Sequence, residues 1–165
     1  MKTIYLIRHA KSDWSIENIP DIDRPLNQRG YNDAHKMASV IKEKNIIPDL
    51  VISSPGIRAL TTALIFCREI DYDPAAILLK KNLYHSEVID YLDVIQNTEN
   101  DHDTIFLFGH NETITKCVNA LVNSFTNEMS TCSIAGIRSP TNNWASFVSA
   151  ANELILFDFP KNHPE

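Results

Sequence analysis

Strand and helix alternate four times along the chain. The strands are apolar on both faces, and helix-start signals follow the strand ends directly. These observations predict an α/β protein, a three-layer α/β/α sandwich built on a mostly parallel six-stranded sheet.

Residues 2–7 are rich in β-branched and aromatic side chains and read as the first strand. Residues 10–26 are polar, carry Pro20 and Pro25, and read as a loop. Asn27 can cap a helix in which Tyr31, Ala34, Met37, Ala38 and Ile41 recur at helical spacing, ending near Asn45 before Pro48. Residues 50–53 form a short second strand. Ser54-Pro55 reads as a helix start, a capping hydroxyl followed by proline at the first helical position, with Ala59, Ala63, Phe66 and Ile70 continuing the helix. Residues 77–79 are a weak third strand, and Ser86 can cap a third helix through Ile89, Leu92 and Ile95. The apolar run 104–108 ends in Gly109-His110-Asn111, and a fourth helix carries Ile114, Val118 and Leu121 on one face. Residues 133–138 and 153–159 are two further strands, with a turn or short helix around Trp144.

The 165 residues suit one domain, expected to span 1–161 with a flexible tail at 162–165. A net charge of −6 argues against a broad basic face for nucleic acid or for a membrane surface. No apolar run approaches the length of a bilayer span, and no signal-peptide pattern opens the chain. Cys67, Cys117 and Cys132 form no CxxC pair and read as reduced, buried thiols of a cytoplasmic protein, a monomer by default.

In parallel sheets, ligands bind beyond the carboxyl ends of the strands. Here those ends deliver Arg8-His9, then Ser53-Ser54-Pro55 with Arg58 one turn later, then Gly109-His110-Asn111, while the first loop adds Asp23-Arg24-Pro25-Leu26. Each residue has a bland reading: Arg8 can be solvated, His9 structural, Arg24 paired with Asp23, and His110 part of a turn. Arg58 in a first helical turn opposes the helix dipole, a mismatch that a bound anion would remove. Jointly, two histidines and three arginines at one rim point to a phosphoryl group, whose oxygens match guanidinium forks.

These residues resemble the histidine phosphatase, or phosphoglycerate mutase-like, superfamily. Arg8-His9-Ala10 is similar to its Arg-His-Gly signature. Asp23-Arg24-Pro25-Leu26 followed by Arg29-Gly30 resembles the small SixA-type branch, the phosphohistidine phosphatases. Ser53-Ser54-Pro55 with Arg58, Thr61, Thr62 and Ala63 resembles the family's second segment, and Gly109-His110-Asn111 its second-histidine segment. Leu83-Tyr84-His85 and Phe159-Pro160-Lys161 fit the same branch.

The resemblance implies His9 as nucleophile, forming a phosphohistidine that water hydrolyses. Chemically, the other ring nitrogen should then donate its proton, for instance to a backbone carbonyl. Arg8, Arg24 and Arg58 would hold the phosphoryl oxygens, with His110 as a second, preferably protonated, imidazole. Asn111 is either an extra donor or a turn residue. Ala10 stands where glycine is usual, and alanine disfavours positive φ. Larger members insert a lid that carries an acid, whereas the stretch between Arg58 and His110 here has room only for a short strand and one helix. Glu87 is the candidate acid, with simple helix N-terminus stabilisation as its other reading. Asp13 and Asp23 are weaker candidates, and Asp23 is expected to orient Arg24.

A lidless site favours a leaving group that needs little acid help and a substrate projecting from a partner, hence protein phosphohistidine. The alternatives are a phosphatase of small phosphomonoesters, a mutase, and a non-catalytic phosphate- or phosphoprotein-binding module. A metal-dependent hydrolase is disfavoured by the arginines, and no metal or cofactor is called for.

Overall fold

The structure is a computed structural model and describes residues 1–164. Among these, the chain forms one six-stranded sheet with four α-helices. In chain order these are β1 (Lys2–Arg8), α1 (Gln28–Glu43), β2 (Leu50–Ser53), α2 (Ile57–Glu69), β3 (Leu78–Leu79), α3 (Val88–Gln96), β4 (Thr104–Gly109), α4 (Thr113–Leu121), β5 (Ile134–Ser139) and β6 (Glu153–Asp158). The strand order is β3-β2-β4-β1-β5-β6. β1 to β4 run parallel, β5 is antiparallel to β1, and β6 is antiparallel to β5.

The layers follow from strand alternation. Ile4, Leu6, Ile105 and Leu107 face one core with Tyr91 and Val94 of α3 and Ile114 and Val118 of α4. Tyr5, Ile7, Phe106 and Phe108 face the other, with Met37 and Ile41 of α1 and Phe66 of α2. Strands buried on both sides must be apolar at successive positions, which is why these runs do not alternate with polar residues.

Local starts differ from expectation in three places. The helix after β2 begins at Ile57 with Gly56 as N-cap. Pro55 therefore lies outside it, and the Ser54 hydroxyl accepts from the Gly56 N–H at 3.1 Å without capping the first turn. The cap of α3 is Glu87, not Ser86; the Asp90 carboxylate accepts from the Glu87 N–H at 2.9 Å. The third strand is only Leu78–Leu79, at the sheet edge. Of the expected tail, Asn162 and His163 both bond Asp158, at 3.0 and 2.8 Å, while Glu165 lies outside the described residues.

Two features position the working end. β2, β4 and β1 are neighbours in register, with Arg8 opposite Gly109 and Ser53 opposite Phe108. Whatever follows these strands therefore emerges side by side. The loop after β1 is pinned by Asn27 N–H to Lys11 O (3.0 Å) and Asp13 N–H to Pro25 O (2.8 Å). Gly30 is required there, because a Cβ would sit 2.1 Å from the Lys11 carbonyl oxygen. The opposite end is closed by Lys2, whose Nζ donates to Asn100 O, His102 O and the Asp103 carboxylate.

Candidate active site

His9 leaves β1 fully packed, 7% exposed, held by its own N–H on Gly109 O (3.1 Å) and by Cys132 N–H on its carbonyl (3.0 Å). Its Nδ1 lies 2.7 Å from the Ala10 carbonyl oxygen. A carbonyl only accepts, so Nδ1 carries the proton and Nε2 presents a lone pair. Burial, reinforced by the Arg58 and Arg8 charges, pushes the His9 pKa down to about 4 against the pull of the Ala10 bond. At neutral pH the imidazole is uncharged and nucleophilic at Nε2.

Ala10 fits without strain. It takes no positive φ, its N–H donates to Thr62 Oγ1 at 3.1 Å, and its methyl is buried in the α1–α2 core. The turn after His9 does not use the left-handed backbone that would call for glycine.

His110 stands beside His9, ring centroids 5.3 Å apart. Its Nε2 is 2.7 Å from Ser54 Oγ. Among the described residues the buried Ser54 hydroxyl has no other acceptor for its hydrogen, which therefore goes to Nε2 and places the His110 proton on Nδ1. Among the described residues the buried Nδ1 has no hydrogen-bond partner, so this N–H is open to a ligand oxygen. Burial, then the neighbouring His9 and Arg58, lowers the His110 pKa to about 3. The protonated form expected of it therefore requires the charge of a bound anion. Gly56 leaves room for the ring; a Cβ there would meet Cε1 at 3.0 Å.

The three arginines reach the same rim from different elements. Arg8 donates Nη1 to Met129 O at 2.8 Å. Arg58 donates Nη1 to the carbonyl and Nη2 to the carboxylate of Asp21, at 2.8 and 3.0 Å. The Arg24 guanidinium stacks on the Trp14 ring at 3.8 Å, with its Nε 3.6 Å from Asp21 Oδ1. Asp21, not Asp23, thus sits on Arg24. Asp23 is exposed. Asp13 is exposed in part and bonds Ser15.

A cleft of about 530 Å³ opens here, lined by Asp21, Arg58, His85, Glu87, His110 and Asn111 among others. Glu87 is exposed on its rim. The Asn111 amide is engaged by Glu128 (2.9 Å) and by the Thr115 hydroxyl, which also accepts from Met129 N–H. This network holds the segment that receives Arg8.

Residues 4–83 match the model of the histidine phosphatase superfamily, branch 1. This match supports membership of the histidine phosphatase superfamily. It supports an enzyme of the phosphatase or mutase class. A 2,3-bisphosphoglycerate-dependent phosphoglycerate mutase of Cutibacterium acnes is 36% identical over 62 residues, 36% of this chain and 25% of the mutase. The chain therefore matches about a quarter of that relative. In fold it is similar to a candidate phosphohistidine phosphatase SixA of Agrobacterium tumefaciens, with TM-score 0.80, 24% identity, and 95% and 97% of the two chains covered. It is also similar to a protein histidine phosphatase SixA complexed with tungstate, with TM-score 0.82, 19% identity, and 98% and 99% covered.

Sequence reasoning assigned no role to Asp21, Tyr84 or Tyr91. Tyr91 is fully buried on α3; its hydroxyl donates to Leu83 O at 3.0 Å and accepts from His110 N–H at 2.9 Å. A tyrosine on an apolar helix face must satisfy its hydroxyl, and that was the available signal. Tyr91→Phe leaves the buried His110 N–H without a partner. It is expected to cost the protein about 1–3 kcal/mol in chemical denaturation.

Both histidines also link stability to pH. Their folded pKa values, about 4 and 3, lie below the 6.5 of the free side chain. The unfolded chain takes protons that the folded protein refuses. The stability is therefore complete above pH 6.5 and is lost as pH falls toward 4. On the order of 3 kcal/mol should disappear between pH 7 and 5. Urea melts at the two pH values check this, and His9→Ala should remove part of the dependence.

Proposed function

We propose that the protein is a metal-independent phosphatase that removes a phosphoryl group through a phosphohistidine on His9, and that its substrate is phosphohistidine on a partner protein. The observation that carries the first part is the His9 Nδ1–Ala10 O bond, which leaves Nε2 unprotonated beside His110 and the arginine rim.

In the first step the Nε2 lone pair attacks phosphorus, the phosphorus–nitrogen bond of the substrate breaks, and the protonated substrate imidazole departs neutral. Arg8, Arg24, Arg58 and the His110 Nδ1–H would hold the phosphoryl oxygens as charge develops. In the second step water attacks phospho-His9, releasing phosphate and restoring the Nε2 lone pair.

The substrate class draws on three supports. Among the described residues, only β3, α3 and single 3-10 turns lie between α2 and β4, so no lid encloses the cleft. Of the cleft carboxyls, Asp21 is held ionised and Glu87 stands exposed on the rim, a modest acid supply that suits an imidazole leaving group better than an alkoxide. Trp14, Ile16, Ile22, Ile57 and Ile89 are exposed, and all lie in segments that carry site residues; Trp14 is 71% exposed on Arg24. Exposed apolar side chains in the segments that carry an anion site fit a protein surface as partner. Among the described residues, the side chains grouped closely enough to hold a metal are Glu99, Asp101 and His102. They belong to a different part of the surface, where His102 and Glu99 line another cavity. Among the described residues no helix is long and apolar enough to cross a membrane. Three buried free thiols fit a reducing, cytoplasmic setting.

The test is phosphate release, with and without a chelator, from a phosphohistidine-bearing phosphotransfer domain and from a panel of small phosphomonoesters. Faster release from the domain, unaffected by chelation, is expected. Much faster turnover of one small ester would refute the substrate assignment.

A further inference from the structure

Two of the site's three arginines, with His85, converge on one carboxylate. Asp21 Oδ2 accepts from Arg58 Nη2 at 3.0 Å and from the Tyr84 hydroxyl at 2.6 Å, and the Asp21 carbonyl accepts from Arg58 Nη1 at 2.8 Å. Oδ1 lies 3.6 Å from Arg24 Nε, and His85 Nε2 lies 3.6 Å from Oδ2. The Tyr84 ring meets the His110 ring edge-on at 5.5 Å. One side chain therefore touches two of the three arginines and the neighbour of the second histidine.

We propose that Asp21 is the positioning residue of the phosphoryl site: it fixes the Arg24 and Arg58 guanidinium groups at working angles and, as a permanent negative charge among them, limits how tightly the product anion is held. This rests on the phosphatase reading above.

A guanidinium has five N–H donors. Asp21 engages two from Arg58, one on each Nη, and leaves three for phosphoryl oxygens. An arginine without such a partner samples many rotamers, and orientation then has to be found during the reaction. The Tyr84 hydrogen bond, with the Arg58 and Arg24 charges, holds the Asp21 pKa down to about 2, so the charge is constant over the working range. A carboxylate beside two arginines also opposes a phosphate dianion. Removing it should strengthen ground-state anion binding while loosening the geometry that the transition state needs. A residue that merely tied the first loop to α2 would, when lost, weaken binding and turnover together.

The experiment compares wild type, Asp21→Asn and Tyr84→Phe. The readouts are the dissociation constant of inorganic phosphate by calorimetry, kcat and KM on p-nitrophenyl phosphate, and thermal unfolding. For Asp21→Asn, kcat is expected to fall about 10- to 100-fold. Phosphate should bind as tightly as to wild type or up to about tenfold tighter. Tyr84→Phe, which keeps both arginine contacts, should lower kcat by about threefold with phosphate affinity unchanged. A kcat for Asp21→Asn within twofold of wild type, or phosphate affinity falling in step with kcat, would overturn the proposal. If Asp21→Asn does not fold, Tyr84→Phe decides: an unchanged kcat overturns it, and the threefold loss upholds it. If wild type turns over no phosphorylated substrate, the phosphatase reading fails, and phosphate affinity alone decides this one. Weaker binding by Asp21→Asn refutes it, and equal or tighter binding supports it.

Discussion

His9→Ala should lose turnover by about 10⁴-fold or more while the protein stays folded and keeps its affinity for inorganic phosphate. The backbone bonds of residue 9, to Gly109 and Cys132, do not involve the imidazole and survive the change. The arginines remain in place, since none is hydrogen-bonded to the His9 ring. What disappears is the Nε2 lone pair. Phosphate affinity by calorimetry, set beside kcat, separates an enzyme from a binding module. A protein that merely binds phosphoryl groups would have no turnover to lose, and a retained kcat would show that the nucleophile lies elsewhere.

Arg58→Ala is the second large effect, an expected drop of about 10²- to 10³-fold in kcat/KM. Arg58 reaches the rim from the first turn of α2, only 12% exposed and braced by Asp21. Its loss removes a charge-bearing fork from the developing transition state and releases Asp21, an uncompensated carboxylate beside an anion site. Arg58→Lys should recover little, because an ammonium cannot span two oxygens as a planar fork does. Arg58→Ala should also raise the pKa of both histidines, since the Arg58 charge lowers each. Steady-state kinetics of the alanine and lysine variants, with histidine titration by NMR, tests the two consequences together.

Much of this site was readable before the fold. A run such as Thr104–Gly109 is apolar at successive positions, which only a strand covered on both faces explains. Arg8-His9 and His110 then had to emerge at strand ends, and the in-register pairing of β1, β4 and β2 brings them together. The proton on His9 Nδ1 was derivable as chemistry, and the Ala10 carbonyl supplies its acceptor.

Other parts depend on closure in space. Asp21 and Asp23 sit two residues apart in an aperiodic loop, and nothing local distinguishes the one that meets Arg58. Only the 3-10 turn over Asp21–Asp23 and its packing beside α2 decide it. Ser54 looked like a helix cap because hydroxyl-then-proline is a common start. Its hydroxyl instead serves His110, 56 residues away, a pairing no local rule encodes. The oddity of Ala10 disappears with the backbone: the residue takes no positive φ, so the methyl group costs nothing there.

The decisive measurement is to mix the protein with a phosphohistidine-bearing domain, quench under alkaline denaturing conditions that preserve phosphoramidates, and locate the trapped phosphoryl group by mass spectrometry and ³¹P NMR. The structure predicts phosphate on Nε2 of His9, appearing and decaying at the rate of turnover and missing from His9→Ala. Turnover without a phosphoenzyme, or a phosphoryl group on His110 or any other residue, would contradict it.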